Sequence, residues 1–390
     1  MARKMKDSGI EWIGEIPEGW ETINPKALFA QRKDRASKGE RQLTSSQQYG
    51  ILYQDEYMEL TGSKVVTVEK DFDILKHVET GDFVISMRSF QGGLEYSTKS
   101  GAISSAYVML VPNLELVYPR FYRWLLKSSV YIDALQRTTN MVRDGQAMRY
   151  SNFAQVRLFT LPLDEQKSRA DFLDLECSSI DKILFKTRSS IEEYKKLKQA
   201  VITQAVTEGT PAMFSSPHSV KLKYLISIVS GEAIRNEQLS DFGEYPVYGG
   251  GEIIGFCSQY NTSEGSLIIG RVGARCGCVT HTTCKSWATD NALIVLPTCN
   301  AKYMYYVIGH CQLNNLNTSN AQPLITSKKI KNVVVPYFSD AMQQQEIADY
   351  LDAKCAKIDG LIAKKEQLVK ELESYKKSLI YEVVTGKREV

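Results

Sequence analysis

Two stretches of the chain carry the same pattern of apolar and polar positions. In residues 166–207, Leu173, Ile180, Tyr194 and Val201 fall seven or fourteen apart, interleaved with Cys177, Leu184, Ile191 and Ala205. In residues 344–385, Leu351, Ile358, Leu372 and Leu379 interleave with Cys355, Ile362, Val369 and Val383. Apolar residues at this heptad spacing make one seam on a long helix, which a second such helix must cover. The stretches align without gaps at an offset of 178, with 14 of 42 positions identical. Each follows a proline, at Leu161-Pro162 and Val335-Pro336, and each runs to a glycine, Gly209 and Gly386, suited to a helix end. The only other breaker is Gly360. The polar positions Thr187/Lys365 and Lys198/Lys376 interrupt both seams at matching places, as residues that set register do. The pattern predicts two long helices that pack on each other, most simply antiparallel, with an approximate two-fold relation between the copies.

The segments before the helices echo each other more faintly. Gly81-Asp82-Phe83-Val84-Ile85-Ser86 parallels Gly265-Ser266-Leu267-Ile268-Ile269-Gly270, and an arginine (Arg88, Arg271) and then a glycine (Gly93, Gly277) follow each. An apolar run ending in proline comes next, Val108–Pro112 and Leu293–Pro297, then a tyrosine-bearing helical stretch, 121–127 and 303–309. Short β-branched runs bounded by Gly, Asn and Pro predict strands. The expected fold class is α+β: a globular domain over 1–163, a long helix over 164–209, a second globular domain over 210–338 and a second long helix over 339–390. The two helices form an antiparallel coiled coil in a pseudo-two-fold arrangement.

Composition narrows the function. The 390 residues are 43% hydrophobic and 24% charged, values of a globular chain. No run reaches the ~18 apolar residues of a membrane helix, and Met1 to Trp20 carries no signal-peptide apolar stretch. A cytoplasmic protein with no membrane partner is expected, and its eight cysteines read as reduced thiols. Net charge is only +3, and the excess lies in the globular segments while the helices are near neutral. Basic residues gather in loops rich in Gln, Asn, Ser and Thr: Arg32, Lys33, Arg35, Lys38 and Arg41; Arg120 through Arg157; Arg271 and Arg275; Lys328, Lys329 and Lys331. Arginine reads guanine edges, glutamine and asparagine read adenine, and lysines and hydroxyls hold phosphates.

Catalytic signatures are missing. There is no phosphate-cradling loop, dinucleotide fingerprint, nucleophile elbow or helical pair of histidines, and no Asn/Asp-Pro-Pro-aromatic motif of an adenine methyltransferase. Cys276, Cys278, His281 and Cys284 are too cramped for the usual zinc spacing and read as small thiols. No catalytic residue, metal or cofactor is expected.

The chain resembles the specificity subunits of Type I restriction–modification enzymes. The residues that carry the resemblance are the opening Met5 to Trp20, the stretch Tyr245 to Gly255, and the duplicated helices, each introduced by a proline and Glu165-Gln166 or Gln344-Gln345. The resemblance implies a non-catalytic subunit. Each globular domain would read one half of a split, asymmetric site in double-stranded DNA, and the helices would set the gap. The helices would also dock two methyltransferase subunits and, through the complex, the restriction and translocase subunits. Exposed seam residues suggest self-association when the subunit is isolated. Residue type and loop placement, not the resemblance, point to the DNA contacts: Arg32, Lys33, Arg88, Gln91, Arg143, Gln146 and Arg149 in the first domain, and Tyr248, Gly250, Arg271, Arg275, Asn320, Gln322, Thr326 and Lys328 in the second. The competing reading is a coiled-coil scaffolding adaptor without DNA specificity.

Overall fold

The computed structural model describes residues 3–68, 72–86, 94–138, 149–212, 216–273, 275–316 and 324–390. The chain divides into two compact units, 1–186 with 368–390, and 187–367. Each long helix contributes one part to each unit.

In the first unit four antiparallel strands form a sheet: β1 (Phe29–Arg32), β2 (Phe83–Ser86), β3 (Glu95–Tyr96) and β4 (Tyr107–Pro112), in the order β1-β4-β2-β3. The chain then enters α1 (Pro119–Leu126), with proline at the start where its missing N–H costs nothing, and later α2 (Leu163–Glu208). In the second unit β5 (Ile226–Ser230), β6 (Leu267–Gly270), β7 (Val279–His281) and β8 (Ala292–Pro297) repeat the order as β5-β8-β6-β7. Then come α3 (Ala301–His310) and α4 (Ala341–Val384). The echoed runs of the sequence are therefore the two central strands and the following helix of each sheet.

The helices reach 46 and 44 residues, and α4 runs unbroken through Gly360. Acidic Asp164 and Glu165 occupy the first turn of α2, facing the positive end of its dipole. The Asp340 carboxylate accepts the Met342 N–H at 3.1 Å beside the start of α4. Gly209 and Gly386 end the two helices with φ of +89° and +78°. A Cβ at Gly386 would also collide with the Pro17 ring, so this position excludes larger residues twice over.

The seam divides between the units by a simple rule. In the first unit Ala170, Leu173, Cys177, Ile180 and Leu184 of α2 share one core with Leu379, Val383 and Val384 of α4, with the sheet residues Phe29, Phe83 and Leu110 and with Phe121 of α1. In the second unit Ala348, Leu351 and Cys355 of α4 share a core with Ala205 and Val206 of α2, with Ile226, Leu267 and Val295, and with Tyr303. Each core thus combines the early positions of one copy with the late positions of the other. Lys376 meets Asp181 at 2.6 Å in the first unit, and Lys198 meets Asp359 at 2.6 Å in the second. The sequence order of these contacts makes the helices antiparallel within each unit. Ile191 and Ile358 are also buried, whereas Tyr194, Val201, Ile362, Val369 and Leu372 are only half-buried. Lys365 sits 5.7 Å from the Tyr194 ring centroid, so this stretch of seam is partly a cation–aromatic contact.

One buried charge on α2 has no counterpart at the matching position of α4, where Ile347 stands. Arg169 is 1% exposed, donates to the carbonyls of Val383 (2.8 Å) and Arg388 (2.9 Å), and pairs with Glu165 at 2.7 Å. Arg3 and the Trp20 indole N–H also donate to Glu165. Burial pushes the Glu165 carboxyl up, but these donors outweigh it and hold the group at about 2, below its ordinary 4.5. Because the folded value is depressed, this contribution to stability is complete above about pH 4.5 and is lost as pH falls toward 2. Arg169→Ala is expected to cost about 3 kcal/mol by removing the buried guanidinium's bonds to Glu165 and to the Val383 and Arg388 carbonyls, and to flatten the acid limb. Calorimetric melting of both proteins across this pH range checks both outcomes.

Candidate nucleic-acid interface

The domains are stapled to the helices by residues that the repeat duplicates. Gln166 is fully buried; its Nε2 donates to the carbonyls of Leu116 (2.8 Å) and Leu161 (2.9 Å), and its Oε1 accepts the Tyr118 N–H (2.7 Å). Gln344 does the same one repeat later, donating to Phe338 (2.6 Å) and accepting from Asn300 (3.1 Å). Asp174 takes hydrogen bonds from Arg120 (2.9 Å), Arg123 (2.8 Å) and Trp124 (2.7 Å) of α1. Its repeat partner Asp352 takes them from Lys302 and from the Tyr306 hydroxyl (2.8 Å) of α3. These groups hold each sheet, and the loops at its strand ends, against the helix pair.

In the second unit those loops converge. Gly249–Gly251 turns between two strands, with φ of +58° at Gly250 and +104° at Gly251, and packs so closely on Gly270 that a Cβ there would strike the Gly250 carbonyl. Beyond Gly270, the Ile325 N–H donates to the Arg271 carbonyl at 3.0 Å, and Val272 bridges Leu324. Gly250, Arg271, Arg275 and Thr326 are thereby brought together, with Lys328 exposed in the short helix Ser327–Lys331 that Thr326 precedes. Arg271 is half-buried and makes no ion pair among the described residues. Arg275 is exposed but pairs with Glu252 at 2.9 Å. Tyr248 corrects the sequence expectation. It is 8% exposed and packs with Ile268, Ala288 and Ile294, in a strand whose consecutive residues Pro246, Val247 and Tyr248 are all buried.

In the first unit Arg32 needs the same correction. Its guanidinium holds the buried Asp82 carboxylate at 2.6 and 3.0 Å and also reaches Asp34 at 3.0 Å, so it braces the sheet instead of facing outward. Lys33, the next residue, is exposed. Arg149 is exposed before the turn Tyr150–Phe153, whose Tyr150 hydroxyl donates to the Phe29 carbonyl at 3.1 Å. Arg149 and Lys33 therefore flank opposite ends of β1. Arg88, Gln91, Arg143, Gln146, Asn320 and Gln322 lie outside the described residues.

Sequence reasoning missed the staples as positioning residues, although the identity of Gln166/Gln344 and Asp174/Asp352 across the repeat was their signal. It also missed Tyr53, whose ring lies 3.6 Å from the Arg41 guanidinium and 4.5 Å from Lys99. Among the described residues no group of His, Cys, Asp and Glu could hold a metal ion. Cys276 is buried with its thiol on the Arg271 carbonyl, and Cys278 and Cys284 are exposed. No helix of the described residues is long and apolar enough to cross a membrane.

Residues 218–371 match a family model described as Type I restriction modification DNA specificity domain. This stretch of the chain is similar to the DNA specificity domains of Type I restriction–modification systems. The chain is 29% identical over 110 residues to the EcoprrI specificity subunit of Escherichia coli, a match covering 28% of this chain and 27% of that protein. It is 25% identical over 288 residues to the putative type I specificity subunit S.MgeORF438P of Mycoplasma genitalium, covering 70% and 71%. A solved chain from work on complex assembly and conformational transition of the type I R-M system superposes with a TM-score of 0.74 at 14% identity, over 96% of this chain and 99% of that one. That likeness establishes a shared fold.

Replacing Arg32 leaves the Asp82 carboxylate buried without a counter-charge. Arg32→Ala is expected to destabilise the first unit by about 3 kcal/mol or more, while Lys33→Ala leaves stability within about 0.5 kcal/mol of the parent. Urea unfolding of the two variants separates the brace from the exposed lysine.

Proposed function

We propose that this chain is the DNA-sequence-specifying subunit of a Type I restriction–modification complex and performs no bond chemistry itself. The observation that carries this reading is the DNA specificity family match over 218–371, together with a sheet of the same strand order in both units. The domain over 1–163 reads one half of a split site and the domain over 210–338 reads the other. The helical segments 164–209 and 339–390 set the distance between them. Low identity between the domains means the two half-sites differ in sequence.

Exposed loop residues are the readers. In the second domain, Arg271, Arg275, Thr326 and Lys328 are grouped well enough to share one groove. In the first, Lys33 and Arg149 are the described candidates. Arginines serve as guanine readers, and lysines and hydroxyls as phosphate holders. Methyltransferase subunits dock on the long helices. Leu175 and Phe185 of α2, 67% and 75% exposed, support this as apolar surface outside the seam. The nuclease and translocase subunits join through that assembly. The adaptor reading is set aside because the matched family model describes DNA specificity.

The test is to express the chain with its methyltransferase and map methylated adenines by single-molecule sequencing. The account expects one asymmetric, two-part motif with a fixed gap; methylation without a two-part motif contradicts it. Deleting one heptad from each helix, residues 188–194 and 366–372, shortens each by about 10 Å. The gap should change by roughly three base pairs with both half-sites unchanged. An unaltered gap in that complex would remove the spacer role.

A further inference from the structure

The first unit carries an apolar side chain that its own packing pushes outward. The helix Gln54–Thr61 ends at Gly62, whose φ of +68° turns the chain into residues 62–68, a run with no regular structure. Val66 within it is 87% exposed, more than any other large apolar residue described in this unit. Exposure of this degree on a loose tail would mean little, but this run is held. The Gln42 side chain grips Val68 on both sides, donating to its carbonyl at 2.7 Å and accepting its N–H at 2.9 Å, as a neighbouring strand would. Gln54 donates to the Val66 carbonyl at 3.4 Å and accepts the Thr67 hydroxyl at 3.1 Å. Val68 packs on Ala36, Leu75 and Ala102, which seats the run against the basic loop 33–42.

Two glutamine amides that could have read adenine are thus spent on positioning this run. What the run presents outward is Val66 beside Lys64. Lys33, Lys38 and Lys64 are exposed and make no ion pair among the described residues. An apolar tip on a run fastened to the loop that carries Lys33 and Lys38, with Lys64 two residues away, suits a polyanion that also displays an isolated apolar group. Duplex DNA does so in its major groove, where the thymine C5-methyl group is exposed. Valine is too short to wedge between base pairs, and its β-branch leaves χ1 few choices, which suits a fixed methyl contact.

We propose that Val66 reads a thymine methyl group in the half-site bound by the first unit, with Lys64 holding the adjacent phosphate. The inference rests on the DNA-reading function proposed above and adds a specificity-determining residue to it. It is tested with the full chain assembled with its methyltransferase and a duplex carrying the mapped motif. Each thymine is replaced in turn by deoxyuridine, which lacks only the methyl group, and affinity is measured by competition. One such replacement, confined to a single half-site, should weaken the parent complex about fourfold, the equivalent of about 0.8 kcal/mol for one buried carbon. Val66→Ala should weaken binding to the thymine duplex about fourfold and make the complex indifferent to that same replacement. The exposed position leaves the fold of the variant intact. Sequence-specific binding in which parent and Val66→Ala respond alike to every deoxyuridine overturns the inference and leaves the function standing. So does a variant whose only defect is weaker assembly with the methyltransferase. Binding without sequence preference overturns both.

Discussion

Everything else in the molecule leans on the antiparallel seam between two copies of one helix. In each unit the early seam positions of one copy meet the late positions of the other: Ala170, Leu173 and Cys177 with Val383 and Val384, then Ala348, Leu351 and Cys355 with Ala205 and Val206. Burial of these side chains supplies the attraction, at about 0.8 kcal/mol per methylene. It does not choose the register, because a heptad seam tolerates a slip of seven. The lysines do. Lys198 and Lys376 interrupt the seam at equivalent points, and the observed register gives them Asp359 and Asp181 from the opposite copy, whereas a slip of seven would set them against Asp352 and Asp174, which already hold α3 and α1. The pairs are too exposed to add much stability. Their value is selective, since a slip of seven in one direction offers only aspartates already engaged by the domain helices, and in the other sets Lys376 against Arg188.

The domains inherit their placement from the same duplication. Gln166 and Gln344 each tie the backbone entering the domain's helix to the carbonyl before the long helix, and Asp174 and Asp352 tie that domain helix itself. Positions that differ between the copies mark where the units have different work. Arg169 corresponds to Ile347, and both are buried. The first unit contains the two end segments of the chain, and Arg169 with Glu165 fastens Arg3, Trp20 and Arg388 there. The second unit has no such ends to hold, and an isoleucine fills the space.

The long helices, their partner contacts and the paired strands were legible because they rest on periodicity and on repetition, which a single sequence displays. The loop residues were less so. Arg32 and Tyr248 looked like readers by type, yet one neutralises Asp82 and the other lies in a strand buried at three consecutive positions. Neither fact is visible without knowing that β1 ends beside residue 82 or how deeply the Tyr245–Gly249 strand is buried. Arg275 kept its exposure but gained Glu252 as partner, a contact made by two loops 23 residues apart. Val66 escaped notice for the opposite reason: nothing in a run of valines says that two distant glutamines will hold it open to solvent.

The register of the seam is the central claim, and zero-length carbodiimide cross-linking followed by peptide mass spectrometry tests it most directly, because it joins only amines and carboxylates already in contact. The account predicts isopeptide bonds between Lys198 and Asp359 and between Lys376 and Asp181, appearing alongside surface pairs such as Lys99 and Glu56. Cross-links of Lys198 or Lys376 to acids a heptad away, or the absence of both bonds while the surface pairs react, would contradict it.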